Sequence, residues 1–230
     1  LNAIVGFSNL LTETDDLADR ELYISVIQKN NELLLQLISD ILDLSKIEAG
    51  TFDVNYAEVD VNALCEEIIR AHAMKLSENV ILTFEDHLPR CFISSDRNRI
   101  NQVLSNFINN AIKFTDHGHI RVGYQTTGEH LKFYVQDSGI GISPENQKQI
   151  FDRFVKLDSF ARGTGLGLPI CKSIINKLGG SIGVESTLGV GSRFWFTLPY
   201  NQQPQINEPD TIKSRQLPRT PDNARKKILV

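Results

Sequence analysis

Asn101-Gln102-Val103-Leu104-Ser105-Asn106-Phe107-Ile108-Asn109-Asn110-Ala111-Ile112-Lys113-Phe114 reads as one helix with an unusual load of asparagine. Asparagine is a poor helix former because its short amide competes for backbone hydrogen bonds, so four in one helix need a reason. Asn106 and Asn110 stand four residues apart and share a helix face. Lys113 follows three residues later, near the same face. Two amide oxygens and an ammonium in a row suit a Mg²⁺ ion and the phosphates it bridges. Taken alone, the same helix reads as a solvated polar face.

Outward from this helix lie two glycine-rich loops. Asp137-Ser138-Gly139-Ile140-Gly141-Ile142 follows the strand-like run LKFYVQ, and Gly163-Thr164-Gly165-Leu166-Gly167-Leu168 precedes a helix. Glycines let the backbone turn and approach a ligand closely, and a glycine-rich turn feeding a helix N-terminus offers free N–H groups to phosphate oxygens. The second loop partly matches a dinucleotide-binding fingerprint. No βαβ unit surrounds it, and a polar loop, not a strand, precedes it, so that reading is set aside. Between the loops, Phe151-Asp152-Arg153-Phe154-Val155-Lys156 pairs aromatics with basic residues. It reads either as aromatics packed in a core or as the anchor of a mobile loop near a phosphate.

The rest of the chain frames these elements. Residues 1–11 and about 21–49 read as two helices joined by an acidic loop. The second carries an apolar stripe at Ile27, Leu34, Leu37, Ile38, Ile41, Leu42 and Leu44 in steps of three and four, and Gly50 stops it. One hairpin cannot bury such stripes. They call for a second copy, giving a four-helix bundle, or for packing on the domain that follows. FDVNYAEVD, VILTFED and RCFISSD read as strands, with a helix from Val61 to Lys75 between the first two. IRVGYQTTGEHLKFYVQD reads as a hairpin turning near Thr127 and Gly128. A short helix follows Pro144, another runs from Gly167 to Leu178, and SIGVESTLGVGSRFWFTLP closes with a second hairpin. Strands and helices are interspersed without regular alternation, which predicts an α+β two-layer sandwich of mixed sheet and helices. After Tyr200 the composition turns to Gln, Asn, Pro and charge, as in a linker.

The bulk numbers permit this. The 230 residues, 41% hydrophobic, suffice for one large or two modest domains. A formal net charge of −4 argues against a nucleic-acid surface. Cys65, Cys91 and Cys171 form no CxxC pair and are read as reduced thiols, not a zinc site or disulfide framework. No apolar run is long enough to span a bilayer and no signal peptide is visible, so a cytoplasmic setting is expected, with a longer parent that can be membrane-anchored.

In this order and spacing the motifs resemble the sensor histidine kinases, whose ATP-binding domain is shared with heat-shock chaperone, gyrase and mismatch-repair ATPases. The asparagine helix looks like that family's N box, DSGIGI like its G1, FDRF like its F box, GTGLGL like its G2, and GVGSRFWFTLP like its last glycine motif. SKIEAG resembles the end of its dimerisation hairpin. The resemblance runs from about Leu1 to Pro199. It implies a dimerisation hairpin over 1–50, which would form a four-helix bundle in a homodimer, an ATP-binding catalytic domain over 51–200 and a linker over 201–225. KKILV, 226–230, resembles the first strand of a receiver domain, or is simply where the chain is cut.

The resemblance also implies roles. Asp137 would accept a hydrogen bond from the adenine amino group, and Gly139 and Gly141 would let the backbone pass the base. Asn110, with Asn106, would hold Mg²⁺. Lys113 and Lys156 would touch phosphates, and Phe114 would lie beside the nucleotide. Gly163, Thr164, Gly165, Leu166, Gly167 and Leu168 would form the lid hinge and the phosphate-facing helix start, and Thr197 would help the adenine site. The implied activity is transfer of the ATP γ-phosphate to a histidine about six residues before Leu1, for relay to an aspartate of a receiver domain. His72, His87, His117, His119 and His130 fit no acceptor motif and are expected at the surface or at element ends. On this reading the chain binds ATP without labelling itself. The competing expectations are a clamp-type ATPase and a degenerate module used only for dimerisation. The hairpin ahead of the ATP domain argues against the first, and the intact glycine loops argue against the second.

Overall fold

The computed structural model describes residues 2–153, 155 and 165–200. It opens on a helical hairpin, α1 (Asn2–Glu13) and α2 (Leu17–Glu48). Asp16 caps α2: its carboxylate accepts the N–H groups of Ala18 and Asp19 at 2.8 and 3.3 Å, two of the donors a first turn leaves unpaired. That cap starts α2 four residues ahead of the expected Glu21. Ala49 and Gly50 end it, Gly50 at φ 69°.

Within the single chain, α1 buries no residue and α2 buries only Asp40 and Asp43. Leu34, Leu37, Ile38, Ile41 and Leu42 remain 37–56% exposed. Leu44 and Ile47, nearer the end of α2, pack against the core of the following domain. Packing on the following domain thus accounts for the end of the stripe, while its middle stays exposed in the single chain.

The following domain has two layers. β1 (Ala57–Asp60) pairs antiparallel with β3 (Phe92–Ser95). β2 (Val80–Glu85), β4 (Gly118–Thr127), β5 (His130–Asp137), β6 (Ile182–Thr187) and β7 (Gly191–Pro199) form a mixed sheet ordered β2-β4-β5-β7-β6, parallel only between β2 and β4. α3 (Val61–Ala73), α4 (Arg97–Phe114) and α6 (Gly167–Lys177) supply the helical layer, and α5 (Pro144–Gln147) is a single turn capped by Ser143. The strand expected over FDVNYAEVD is shorter than its alternation suggested. Phe52 is buried beneath the Arg99 guanidinium, 4.1 Å from its ring centre, and the Asn55 N–H is taken by Asp96 at 2.9 Å, outside any ladder.

α4 organises the core. Its N-cap Asp96 accepts from Asn98 and Arg99. Ile100, Val103, Leu104, Phe107, Ile108 and Ala111, spaced by three and four, are buried. Phe107 meets Phe194 at 5.3 Å and Phe196 at 6.1 Å, and Phe196 stacks on Phe133 at 4.8 Å. Burial of each such side chain stabilises by about 1.5–3 kcal/mol. Because this face is apolar, the asparagines of α4 fall on the other one.

Candidate functional site

The polar face of α4 opens on a cavity of about 1140 Å³, a little above the roughly 300–1,000 Å³ range of small-molecule sites. Asn101, Ser105, Asn106, Asn109, Asn110, Lys113 and Phe114 line it from α4. The end of β5 contributes Asp137, and the first glycine loop Ile140, Gly141 and Ile142. Gly165, Gly167 and Leu168 enter at the start of α6, and Ser192 and Phe194 from β7. A second cavity of about 190 Å³, at Lys75, Ser77 and Asp116, holds none of the residues singled out above.

Asp137 is 7% exposed. Burial pushes its carboxyl above the usual carboxylate range, opposed by the N–H groups of Gly139 and Ser192 and by nearby His119. Both N–H groups reach one oxygen, Oδ1, at 2.9 and 3.2 Å. A side chain held this way offers its other oxygen to a ligand donor.

On α4, Asn110 Nδ2 donates to Asn106 Oδ1 at 3.2 Å. The Asn106 oxygen is thereby engaged, and the Asn110 oxygen is the one turned free of that bond. Asn106 also presses on Gly167, where a Cβ would overlap its amide. Glycine at 167 therefore lets the α6 N-terminus approach α4. The donor set fits Mg²⁺, which keeps few protein ligands and takes its remaining oxygens from phosphate and water. Among the described residues no group of three His, Cys, Asp or Glu side chains forms an all-protein metal cage.

The other glycines divide by task. Gly141 has φ 70°, and a side chain there would overlap the Thr187 carbonyl. Gly139 does not line the cavity; a Cβ on it would strike the Phe114 carbonyl, so it serves the packing of the loop on the end of α4. Leu166, expected in the site, is 2% exposed in the core at the N-cap of α6 and contributes no cavity wall. Phe151 packs against the core. Phe154, Lys156, Gly163 and Thr164 lie outside the described residues, as do the expected linker and KKILV.

Thr197 is a correction. It pairs with Lys132 across β5 and β7, and its hydroxyl accepts the Ser181 N–H at 2.9 Å. The residue opposite Asp137 is Ser192, five positions earlier, about 17 Å along the strand at roughly 3.3 Å per residue. Ser192 was missed, although it is the polar residue directly after Gly191 in the last glycine motif. His72 lies in the last turn of α3, as expected of an element end, but it is buried at 6% exposure with Nδ1 2.8 Å from the Ile68 carbonyl. None of the five histidines lines the cavity.

The hairpin also reaches the site, which its own pattern did not suggest. Leu33, Gln36 and Asp40 of α2 line the cavity, and Gln36 donates to Asp40 at 2.8 Å. One turn on, Asp43 accepts from Gln102 at 2.7 Å and pairs with Arg99 at 3.4 Å. Glu48 pairs with Arg153. The Asp43 contacts hold α2 against α4.

Two family models match the chain. The family model described as "Histidine kinase-, DNA gyrase B-, and HSP90-like ATPase" matches residues 95–202, and "His Kinase A (phospho-acceptor) domain" matches residues 1–50. Sensor protein GacS of Pseudomonas syringae pv. syringae is 40% identical over 213 residues, 86% of this chain but 23% of its own length. Full-length ShkA, solved in complex with AMPPNP, superposes with a TM-score of 0.71 at 29% identity, over 86% of this chain and 42% of that one. The catalytic domain of histidine kinase ThkA is 32% identical with a TM-score of 0.58, over 63% of this chain and 95% of that one. ThkA in complex with response regulator protein TrrA reaches a TM-score of 0.68 at 27% identity, over 87% of this chain and 57% of that one.

Proposed function

The chain belongs to the histidine kinases, and from that premise we propose that it is the catalytic region of a two-component sensor that binds Mg-ATP in the cavity between α4 and the two glycine loops. The observation that carries this reading is the convergence of a buried Asp137 and the amide face of α4 on one cavity. Asp137 accepts from the adenine amino group, with Ser192 beside it. Asn110 holds Mg²⁺, and Asn106 orients the Asn110 amide. Lys113 and Lys156 meet phosphate oxygens. Phe114 lies along the nucleotide, and Gly165 and Gly167 shape the start of α6 that faces the phosphates. Bound Mg²⁺ supplies charge neutralisation on the phosphates during transfer.

The γ-phosphate goes to a histidine of the first hairpin helix, ahead of Leu1, and then to an aspartate of a receiver domain on the same or another polypeptide. The open stripe of α2 supports homodimerisation through residues 1–50, since an apolar face this wide needs a partner in water. Residues 51–200 form the catalytic unit. Among the described residues no helix is long and apolar enough to cross a membrane.

Two measurements test the reading. Calorimetric titration should show Mg-ATP binding to the 230-residue chain that is lost in Asp137→Asn. A chain extended through the acceptor helix should gain acid-labile phosphate from labelled ATP, whereas the present chain should not. Absence of ATP binding would favour the scaffold alternative. Steady ATP turnover that depends on dimerisation of the ATP domain itself would favour a clamp ATPase.

A further inference from the structure

Ser186 lies on β6, outside every motif discussed above, yet its hydroxyl is a junction. The Ile142 N–H donates to Ser186 Oγ at 2.8 Å. The same oxygen lies 2.8 Å from the Gly191 carbonyl and 3.0 Å from Ser192 Oγ. Ser186 thus ties the first glycine loop to the turn that leads into β7. Gln147 of α5 clamps the same place through the backbone, donating to the carbonyls of Ile142 at 2.8 Å and Ser186 at 2.9 Å.

Proton counting fixes the direction of this network. A serine hydroxyl has one proton to donate and two lone pairs. The Gly191 carbonyl can only accept, so the Ser186 proton goes there. One Ser186 lone pair takes the Ile142 N–H, leaving one acceptor site. The 3.0 Å contact with Ser192 is then a hydrogen bond only if Ser192 donates to Ser186. Ser192 is 7% exposed and lines the cavity. With its proton directed at Ser186, its oxygen turns lone pairs toward the cavity. Its own N–H is meanwhile held on Asp137 Oδ1 at 3.2 Å.

We propose that Ser186 is a positioning residue that sets the Ser192 hydroxyl as an acceptor, making the base-reading end of the cavity acceptor-only and selective for a purine edge that donates. Resting on the nucleotide-site reading above, this adds a second determinant to Asp137. Adenine offers a donating amino group at the position where guanine offers an accepting oxygen. A Ser192 hydroxyl free to rotate would donate to guanine as readily as it accepts from adenine.

The experiment is calorimetric titration of Mg-ATP and Mg-GTP into the wild-type chain, Ser186→Ala, Ser192→Ala and the double variant. Loss of one neutral hydrogen bond corresponds to roughly 2- to 12-fold in affinity. Ser186→Ala should therefore lower ATP-over-GTP discrimination by roughly 2- to 12-fold, chiefly through weaker ATP binding. The double variant should discriminate no worse than Ser192→Ala, because both changes remove one coupled device. Ser186→Thr, which keeps the hydroxyl, should stay within about twofold of wild type, the smallest effect expected for a lost hydrogen bond.

Unchanged discrimination in Ser186→Ala, or additive losses in the double variant, would overturn the proposal while leaving the nucleotide site standing. If Ser186→Ala loses its melting transition, Ser192→Ala decides. Reduced discrimination there, with Ser186→Thr intact, supports the device, and wild-type discrimination overturns it. A wild-type chain that binds neither nucleotide, or Asp137→Asn retaining full ATP preference, overturns the site reading and this proposal with it.

Discussion

Asp137→Asn separates the function of the cavity from the stability of the domain. The amide oxygen of asparagine can still accept the Gly139 and Ser192 N–H groups that Oδ1 holds at 2.9 and 3.2 Å. What changes is the second oxygen, replaced by an NH₂ that faces the adenine amino group donor to donor. Losing a hydrogen bond to a charged acceptor costs about 1.5–3 kcal/mol, so ATP affinity should fall roughly 10- to 150-fold, at 1.4 kcal/mol per decade. Stability should move the other way. Burial is the largest influence on Asp137 and raises its pKa, so the folded state holds the proton more tightly than the unfolded chain does. The protonated form's stabilising share is fully present below the ordinary carboxylate range and is lost as pH rises through the raised value. A neutral asparagine escapes that loss. Differential scanning calorimetry should therefore show the variant melting above wild type at neutral pH, with the difference shrinking in acid. By the same linkage, wild-type ATP affinity should weaken as pH falls through the raised value. Unaltered ATP affinity, or a variant less stable at neutral pH than in acid relative to wild type, would overturn this role of Asp137.

Three further outcomes follow from particular contacts. Asn110→Ala should abolish the Mg²⁺-dependent part of ATP affinity and leave metal-free nucleotide binding nearly unchanged, as titrations with and without the ion will show. Phe107→Ala should cost about 3–5 kcal/mol in chemical denaturation, because it opens a cavity between Phe194 and Phe196. Arg99→Ala removes both the partner of Asp43 and the cation over Phe52; a loss of about 1–3 kcal/mol should appear as faster amide exchange at the end of α2.

Much of the molecule was legible in one dimension because its signals are local. Apolar spacing of three and four marks α2 and α4, glycine and asparagine punctuate the turns, and the excess of asparagine on α4 announces a polar cavity wall. Asp137 could be placed because it ends a strand and opens a glycine loop. Local signals fail where the deciding partner is distant in sequence. Thr197 and Ser192 are both β7 hydroxyls, and only the register against β5, which sets Ser192 opposite Asp137, says which one reaches the site. Leu166 sits inside a glycine motif yet packs into the core, because the first turn of α6 directs it there. A two-helix hairpin, a two-layer α+β domain and a nucleotide-type loop set all follow from periodicity and backbone chemistry along the chain. That α2 walls the cavity through Gln36 and Asp40, and that Ser186 meets Ser192, emerges only in three dimensions. Both depend on side chains converging from separate elements, a relation that residue spacing does not encode.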